Sequence, residues 1–170
     1  LPLLKGRIAE AEALASGKAP ATQSGAPDIA AMVKRLEARM KDNPDDVQGW
    51  SMLGRSYAAL GETGRAVDAY GRAMKLAPND LEIVQSYAVM LYEAARAQDP
   101  RAKVPADALS LMHKVLEKDP KSVDALFLAG QAAAEAGNKE GAKALWSRLL
   151  EQLEPGSPDH GDMKRMIDAL

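Results

Sequence analysis

The side chains best suited to chemistry in this 170-residue chain are two histidines, His113 and His160. Near neutral pH an imidazole can act as a general acid or base, or can bind a metal ion. His160 lies close to Asp159 and Asp162, but a metal site needs three or four converging ligands. The sequence supplies no such set, and it contains no HExxH motif. We therefore interpret both histidines as solvated surface residues.

Other arrangements that support catalysis are also missing from the sequence. It contains no recognisable nucleophile–base pair, no glycine-rich phosphate loop and no cysteine. Many active sites depend on one of these features. The carboxylates are spread along polar stretches, where they favour solubility and i,i+4 pairing. The chain is expected to be a binding protein without a metal or a cofactor, and not an enzyme.

The composition is that of an ordinary globular protein, with 46% hydrophobic and 27% charged residues. A net charge of −2 without a basic run argues against nucleic-acid binding. No apolar stretch approaches the ~20 residues that span a bilayer. Because the chain begins with Leu1 rather than Met, we expect a processed or truncated form whose signal or membrane anchor lay upstream.

The elements that would position a binding site are marked most clearly in residues 47–80. Trp50, Leu53 and Tyr57 lie three to four residues apart and define one face of a first helix. Gly54 is small, so a second helix can approach closely. Eight landmarks here match the 34-residue tetratricopeptide (TPR) unit: Trp50, Leu53, Gly54, Tyr57, Ala66, Tyr70, Ala73 and Pro78. Such a unit cannot bury its apolar face alone and must stack on neighbours, which forms a concave binding surface.

The same register divides the rest of the chain. It predicts an all-α, TPR-type helical solenoid, with antiparallel helix pairs in a right-handed superhelix. A short helix at 3–15 and a flexible linker make up residues 1–27. The TPR domain at 28–170 then comprises a half-repeat helix at 28–46 with Asp28 as its N-cap, TPR1 at 47–80, TPR2 with an insertion at 81–122, TPR3 at 123–156 and a capping helix at 157–170.

The second unit departs from the standard length. It has 42 residues instead of 34, and the extra residues fall in 95–105, between its paired helices. Insertions within a repeat usually form loops on one face of the array. We expect this segment to be a loop that ends near Pro105, which suits a helix start.

In TPR arrays the first helix of each unit lines the concave face, and this resemblance implies which positions point inward. The apolar members form a strip suited to an amphipathic helix, with Tyr92 and Phe127 as aromatic anchors. Part of the strip, Met52 and Leu128 above all, is also compatible with a core role. The predicted peptide-binding groove contains Met52, Arg55, Gln85, Val89, Tyr92, Phe127, Leu128 and Gln131.

The edge of the groove is expected to be acidic. Its default interpretation is a solvated face, and the alternative is selectivity for a partner with Lys or Arg. The acidic edge consists of Glu82, Glu93, Asp124 and Glu135. Co-chaperone TPR domains that grip acidic tails instead use a clamp of Lys and Asn residues. Four of the five clamp positions depart from that pattern here, so this mode of binding is excluded. The five positions hold Ser51, Arg55, Ser86, Asp124 and Leu128.

Three stretches of the sequence indicate which family within the large TPR class the chain resembles. MVKRLEARMKDNPDDVQGWSMLGRSYAALG joins the half-repeat to the first unit, the insertion ends in VPADAL, and the third unit ends in ALWSRLLEQLEPGSPD. This order resembles the periplasmic C-terminal domain of the CcmI (CycH) family of bacterial cytochrome c maturation, over about residues 28–170.

The resemblance implies a function that the residues alone do not. In that family the domain follows a membrane-anchored N-terminal part, binds the C-terminal helix of apocytochrome c and delivers it to the haem ligation complex in the periplasm. Two alternatives stay open at this point. One is a generic TPR adaptor for envelope or secretion assembly, and the other is a self-assembling scaffold whose groove is occupied by another copy.

Overall fold

All regular structure in the described part of the chain is helical. The computed structural model describes residues 29–170, so the predictions of a helix at 3–15, a linker at 16–27 and a cap at Asp28 lie outside it. The helices are α1 (Ile29–Asp42), α2 (Val47–Ala59), α3 (Thr63–Leu76), α4 (Leu81–Gln98), α5 (Ala106–Lys118), α6 (Val123–Glu135), α7 (Lys139–Leu150) and α8 (Pro158–Asp168).

Polar caps explain where most of these helices begin. The side-chain oxygen of Asp46 accepts a hydrogen bond from the Gly49 amide at 2.8 Å, which satisfies one of the unpaired N–H groups of the first turn. Ser157 does the same for α8, where Pro158 occupies the first helical position as predicted. The side chains that cap helices in this way belong to Asp46, Asp80, Ser122, Asn138 and Ser157.

Small residues allow the paired helices to approach closely. A Cβ atom added at Gly54 would lie 2.6 Å from the Tyr70 ring, and the corresponding position Gly130 lies against the Trp146 ring. The turns within these two pairs use Gly61 and Gly137 with positive φ values of 73° and 78°, a conformation that favours glycine. Each helix packs against the next one in sequence, and α4 also contacts α6. The predicted all-α, TPR-type solenoid is confirmed.

Helices begin at Val47, Leu81 and Val123, the residues at which the three units were predicted to begin. The inserted segment differs in detail from its prediction. Residues 95–98 continue α4, which has 18 residues against 13 in α2 and α6. The irregular part therefore covers only 99–105.

Two apolar clusters lie along the described array. The smaller one joins α1, α2 and α3 around Leu53, Tyr57 and Ala66. The larger one extends from α4 to the capping helix α8, where Met163 is fully buried. The amount of apolar burial therefore increases from the first unit toward the third.

Candidate peptide-binding groove

Most of the inward-facing side chains of the first unit are open to solvent, although Ser51 is buried. Met52 is 51% exposed, and Gln48, Arg55 and Ala59 are also exposed. Arg55 faces Glu82 at 3.5 Å, but both side chains remain mostly solvated, so this ion pair contributes little to stability. Two of the predicted groove residues, Met52 and Arg55, therefore form accessible surface.

The concave side of the third unit is different. Leu128 holds the same register position as Met52, yet it is fully buried, and Phe127 is only 2% exposed. Both belong to the larger apolar cluster that α8 helps to close. In this structure these two predicted groove residues therefore belong to the packed core beneath the concave face.

The second unit combines both situations. Val89 and Tyr92 are 7% and 4% exposed and join the same cluster as Phe127, whereas Gln85 is half-buried. The five apolar residues predicted to form one open strip are therefore separated, because only Met52 reaches the surface in this conformation. The sequence pattern did not reveal this difference, since it indicates which way a residue points but not what covers it. A direct role of the eight residues in peptide binding stays a prediction.

The buried residues Val89, Tyr92, Phe127 and Leu128 form an apolar floor beneath the concave face. A chain of polar contacts beside it connects the second and third units. The Ser122 hydroxyl donates to Gln85 Oε1 at 2.7 Å, and Gln85 Nε2 donates to Asp124 Oδ2 at 2.8 Å. Asp124 Oδ1 is buried without a hydrogen-bond partner. Burial raises the pKa of the Asp124 carboxyl, although the Gln85 hydrogen bond opposes the shift. Gln85, on the second unit, therefore connects that unit to Asp124 of the third unit.

A second polar contact connects the inserted segment to the third unit. The Val104 amide donates to Glu135 Oε2 at 2.8 Å, and Gln131 Nε2 donates to the other oxygen, Oε1, at 2.8 Å. Gln131 and Glu135 both occupy inward register positions on α6. The backbone of the insertion therefore reaches the concave face, a contact that the sequence pattern did not predict.

The sequence pattern also missed a charged network behind the first unit. The Tyr57 hydroxyl and the Arg65 guanidinium both donate to the Glu37 carboxylate, and Arg65 lies over the Tyr57 ring, 4.2 Å from its centroid. The hydrogen bond from Tyr57 is the main cause that lowers the pKa of Glu37. Burial, followed by the contact with Glu37, raises the pKa of Tyr57 to about 12. This network attaches α1 to the first helix pair.

The residues considered for chemistry do not come together. His113 is exposed on α5, and His160 is half-buried in the first turn of α8. Within residues 29–170, no three His, Cys, Asp or Glu residues are grouped so that they could hold a metal ion. None of the helices described in that range is long and apolar enough to cross a membrane.

Stacked helix pairs with these landmarks and a concave face define the class of this protein, a TPR-type helical repeat protein. The family model described as "Cytochrome c-type biogenesis protein H TPR domain" matches residues 10–160. The chain belongs to this family, which confirms the resemblance to CcmI and CycH.

Individual relatives agree with this assignment. The chain is 32% identical over 127 residues to cytochrome c-type biogenesis protein CycH of Pseudomonas aeruginosa, covering 75% of this chain and 30% of the relative. It is 27% identical over 132 residues to CcmH of Escherichia coli K12, covering 78% of this chain and 36% of the relative. The chain thus spans about a third of the length of these curated relatives.

A solved structure supports the fold independently. MamA residues 41 to the end, from Desulfovibrio magneticus RS-1, superpose with a TM-score of 0.63 at 19% identity. The alignment covers 95% of this chain and 83% of that chain. At this identity the likeness establishes the helical repeat fold alone.

Proposed function

We propose that this chain is a peptide-binding module of c-type cytochrome biogenesis. It captures the C-terminal helix of apocytochrome c in its concave groove and presents that helix to the haem ligation complex. It performs no catalysis and carries no cofactor. The module works in the periplasm and is held at the inner membrane by an anchor elsewhere in the same polypeptide.

The observation that supports this proposal best is the open concave surface of the first unit in a chain of this family. Met52 is half-exposed to solvent, and the flexible thioether side chain of methionine adapts well to varied apolar partners. Arg55 and Glu82 provide charges of both signs beside it, which suits the polar edge of an amphipathic helix. An apocytochrome helix ordered only on binding would bury its apolar face here.

The buried side chains have a different part in this proposal. Tyr92 and Phe127 are 4% and 2% exposed, so a partner first meets Met52 and the polar residues Arg55, Gln85 and Gln131. Truncation of either aromatic residue would leave a cavity in the core. A loss of binding in such variants would therefore report on stability as well as on contact.

The direct experiment titrates the protein with a peptide from the C-terminus of an apocytochrome c and follows its helicity by circular dichroism. A scrambled peptide of the same composition is the control. We expect saturable helix formation with the native order alone. Equal signals from both peptides would exclude the proposal. Binding that tracks self-association of the protein would favour the scaffold alternative.

A matched pair of variants locates the binding surface. Met52→Ala should weaken binding of the apocytochrome peptide by about 1–2 kcal/mol, because it removes an apolar contact from the open part of the groove. Met32→Ala is the control, since Met32 is 56% exposed on α1 and lies outside the inward positions. Isothermal titration calorimetry measures both affinities. Equal affinities for Met52→Ala and the parent would remove the first unit from the binding site.

A further inference from the structure

The inserted segment at 99–105 has a defined conformation. The Asp99 amide donates to the Ala95 carbonyl at 3.0 Å, which ends α4. The backbone carbonyl of Asp99 accepts a hydrogen bond from the Ala102 amide at 2.8 Å. The Asp99 side chain accepts another from the Arg101 amide at 2.9 Å. These contacts form a turn that directs the following residues back toward α6.

The segment then makes two kinds of contact with the third-unit end of the groove. The Val104 amide donates to Glu135, whose second oxygen is held by Gln131. The Val104 side chain is half-buried and packs against the apolar cluster that contains Tyr92 and Phe127. One residue of the insertion therefore satisfies a groove carboxylate and also covers part of the apolar floor.

The other two units provide an internal comparison. Their paired helices are joined by only three residues each, 60–62 and 136–138. Within residues 29–170, the connection inside the first unit is therefore too short to form a segment like 99–105, and Met52 and Arg55 are exposed there. Closure of the concave face coincides with the place where the insertion reaches it.

We propose that residues 99–105 are a cover over the third-unit end of the groove, and that a partner peptide must displace them to bind there. This inference rests on the proposed peptide-binding function. In the closed form the Val104 N–H donates a hydrogen bond to the Glu135 carboxylate. We expect a backbone N–H of the partner to make the same hydrogen bond after displacement. Because free N–H groups of a helix lie in its first turn, this end of the groove suits the N-terminal turn of a bound helix.

The cover can be tested without any partner. The parent chain contains no cysteine, so a single introduced thiol is the one reactive thiol in the protein. Ala134→Cys reports on the covered end, and Ala58→Cys holds the same register position in the first unit, where both alanines are half-buried. Each variant is prepared with the native segment and with residues 99–104 replaced by six Gly and Ser residues. The rate of reaction with a thiol reagent is then measured.

We expect the replacement to accelerate labelling of Ala134→Cys by at least about threefold, because the closed state no longer competes with opening. Labelling of Ala58→Cys should not change. An unchanged rate at Ala134→Cys, or an equal rise at both sites, would overturn the cover. If the replacement prevents folding, Val104→Gly serves instead, with Lys103→Ala as the control because Lys103 is the exposed neighbour of Val104.

The apocytochrome peptide then separates this inference from the proposed function. If the cover competes with the partner, the replacement variant should bind the peptide about threefold to tenfold more tightly than the parent. Weaker or equal binding by that variant would contradict displacement. If neither protein binds the peptide, the proposed function fails, while the labelling rates still decide if residues 99–105 cover the groove.

Discussion

The first and third units present the same register positions to the concave side, but two of these positions differ sharply in burial. The sixth residue of the unit is Met52 in the first unit, where it is half-exposed, and Leu128 in the third unit, where it is fully buried. The second residue is the exposed Gln48 in the first unit and the buried Asp124 in the third. The repeat fold therefore sets the direction of a side chain, while the neighbouring elements decide if it is surface or core.

The two units are also held by different forces. The first unit is attached to α1 through Glu37, Tyr57 and Arg65, beside a small apolar cluster. The third unit lies within the larger cluster and is closed by α8. Most of the clustered apolar core in residues 29–170 therefore lies between the second unit and the capping helix.

The largest expected effect compares Leu128 with Met52. Leu128→Ala should lower the free energy of unfolding by about 2–5 kcal/mol, because it removes buried methyl groups and leaves a cavity. Met52→Ala should change it by no more than about 0.5 kcal/mol, as for other exposed sites. Urea unfolding followed by circular dichroism measures both. Similar losses for the two variants would mean that the two concave positions do not differ in burial.

A smaller effect is expected when the network behind the first unit is broken. Tyr57→Phe should cost about 1–2 kcal/mol, since Glu37 loses a hydrogen bond in a partly buried place. The difference in the free energy of unfolding between parent and variant should stay constant below about pH 10 and shrink as the pH rises toward about 12. The reason is that Tyr57 ionises at a lower pH in the unfolded chain than in the folded protein. Urea unfolding at several alkaline pH values measures it. A difference independent of alkaline pH would show that the hydroxyl is not held by Glu37.

The smallest effects are opposite pH dependences at the two ends of the array. The pKa of Glu37 is lowered in the folded state, so its contribution is present above the unfolded pKa and is lost as the pH falls through the folded value. The pKa of Asp124 is raised by burial, so stability instead declines as the pH rises through its folded value.

The two variants Glu37→Gln and Asp124→Asn test this contrast. Between about pH 3 and about pH 7, the stability advantage of the parent over Glu37→Gln should grow with pH. Over the same range the parent should lose stability relative to Asp124→Asn. Thermal unfolding at fixed ionic strength measures both series. Parallel trends for the two variants would contradict the assigned directions.

Much of the architecture could be predicted from particular residues. The landmarks from Trp50 to Pro78 indicated the helix pairs, and Ser157 with Pro158 marked the start of the capping helix. The three end and junction stretches indicated the family, which the family model confirms. These features depend on short-range spacing, caps and turns, all of which are visible in a single sequence.

The candidate site was less predictable. The TPR resemblance implied an inward position for four apolar residues, Val89, Tyr92, Phe127 and Leu128. It does not show which other elements pack over them. The contact from Val104 to Glu135 joins residues 31 positions apart, and the network from Glu37 to Arg65 joins residues 28 apart. No local pattern encodes such pairs.

By itself, the sequence determined a stack of TPR helix pairs with one inserted segment, a family and a set of inward positions. The tertiary structure alone decided which inward positions stay open, because exposure depends on what packs from distant parts of the chain. In the third unit, Phe127 and Leu128 belong to a cluster that also contains Met163 of α8, and Val104 of the segment 99–105 packs against this cluster. In the first unit Met52, at the register position of Leu128, is 51% exposed.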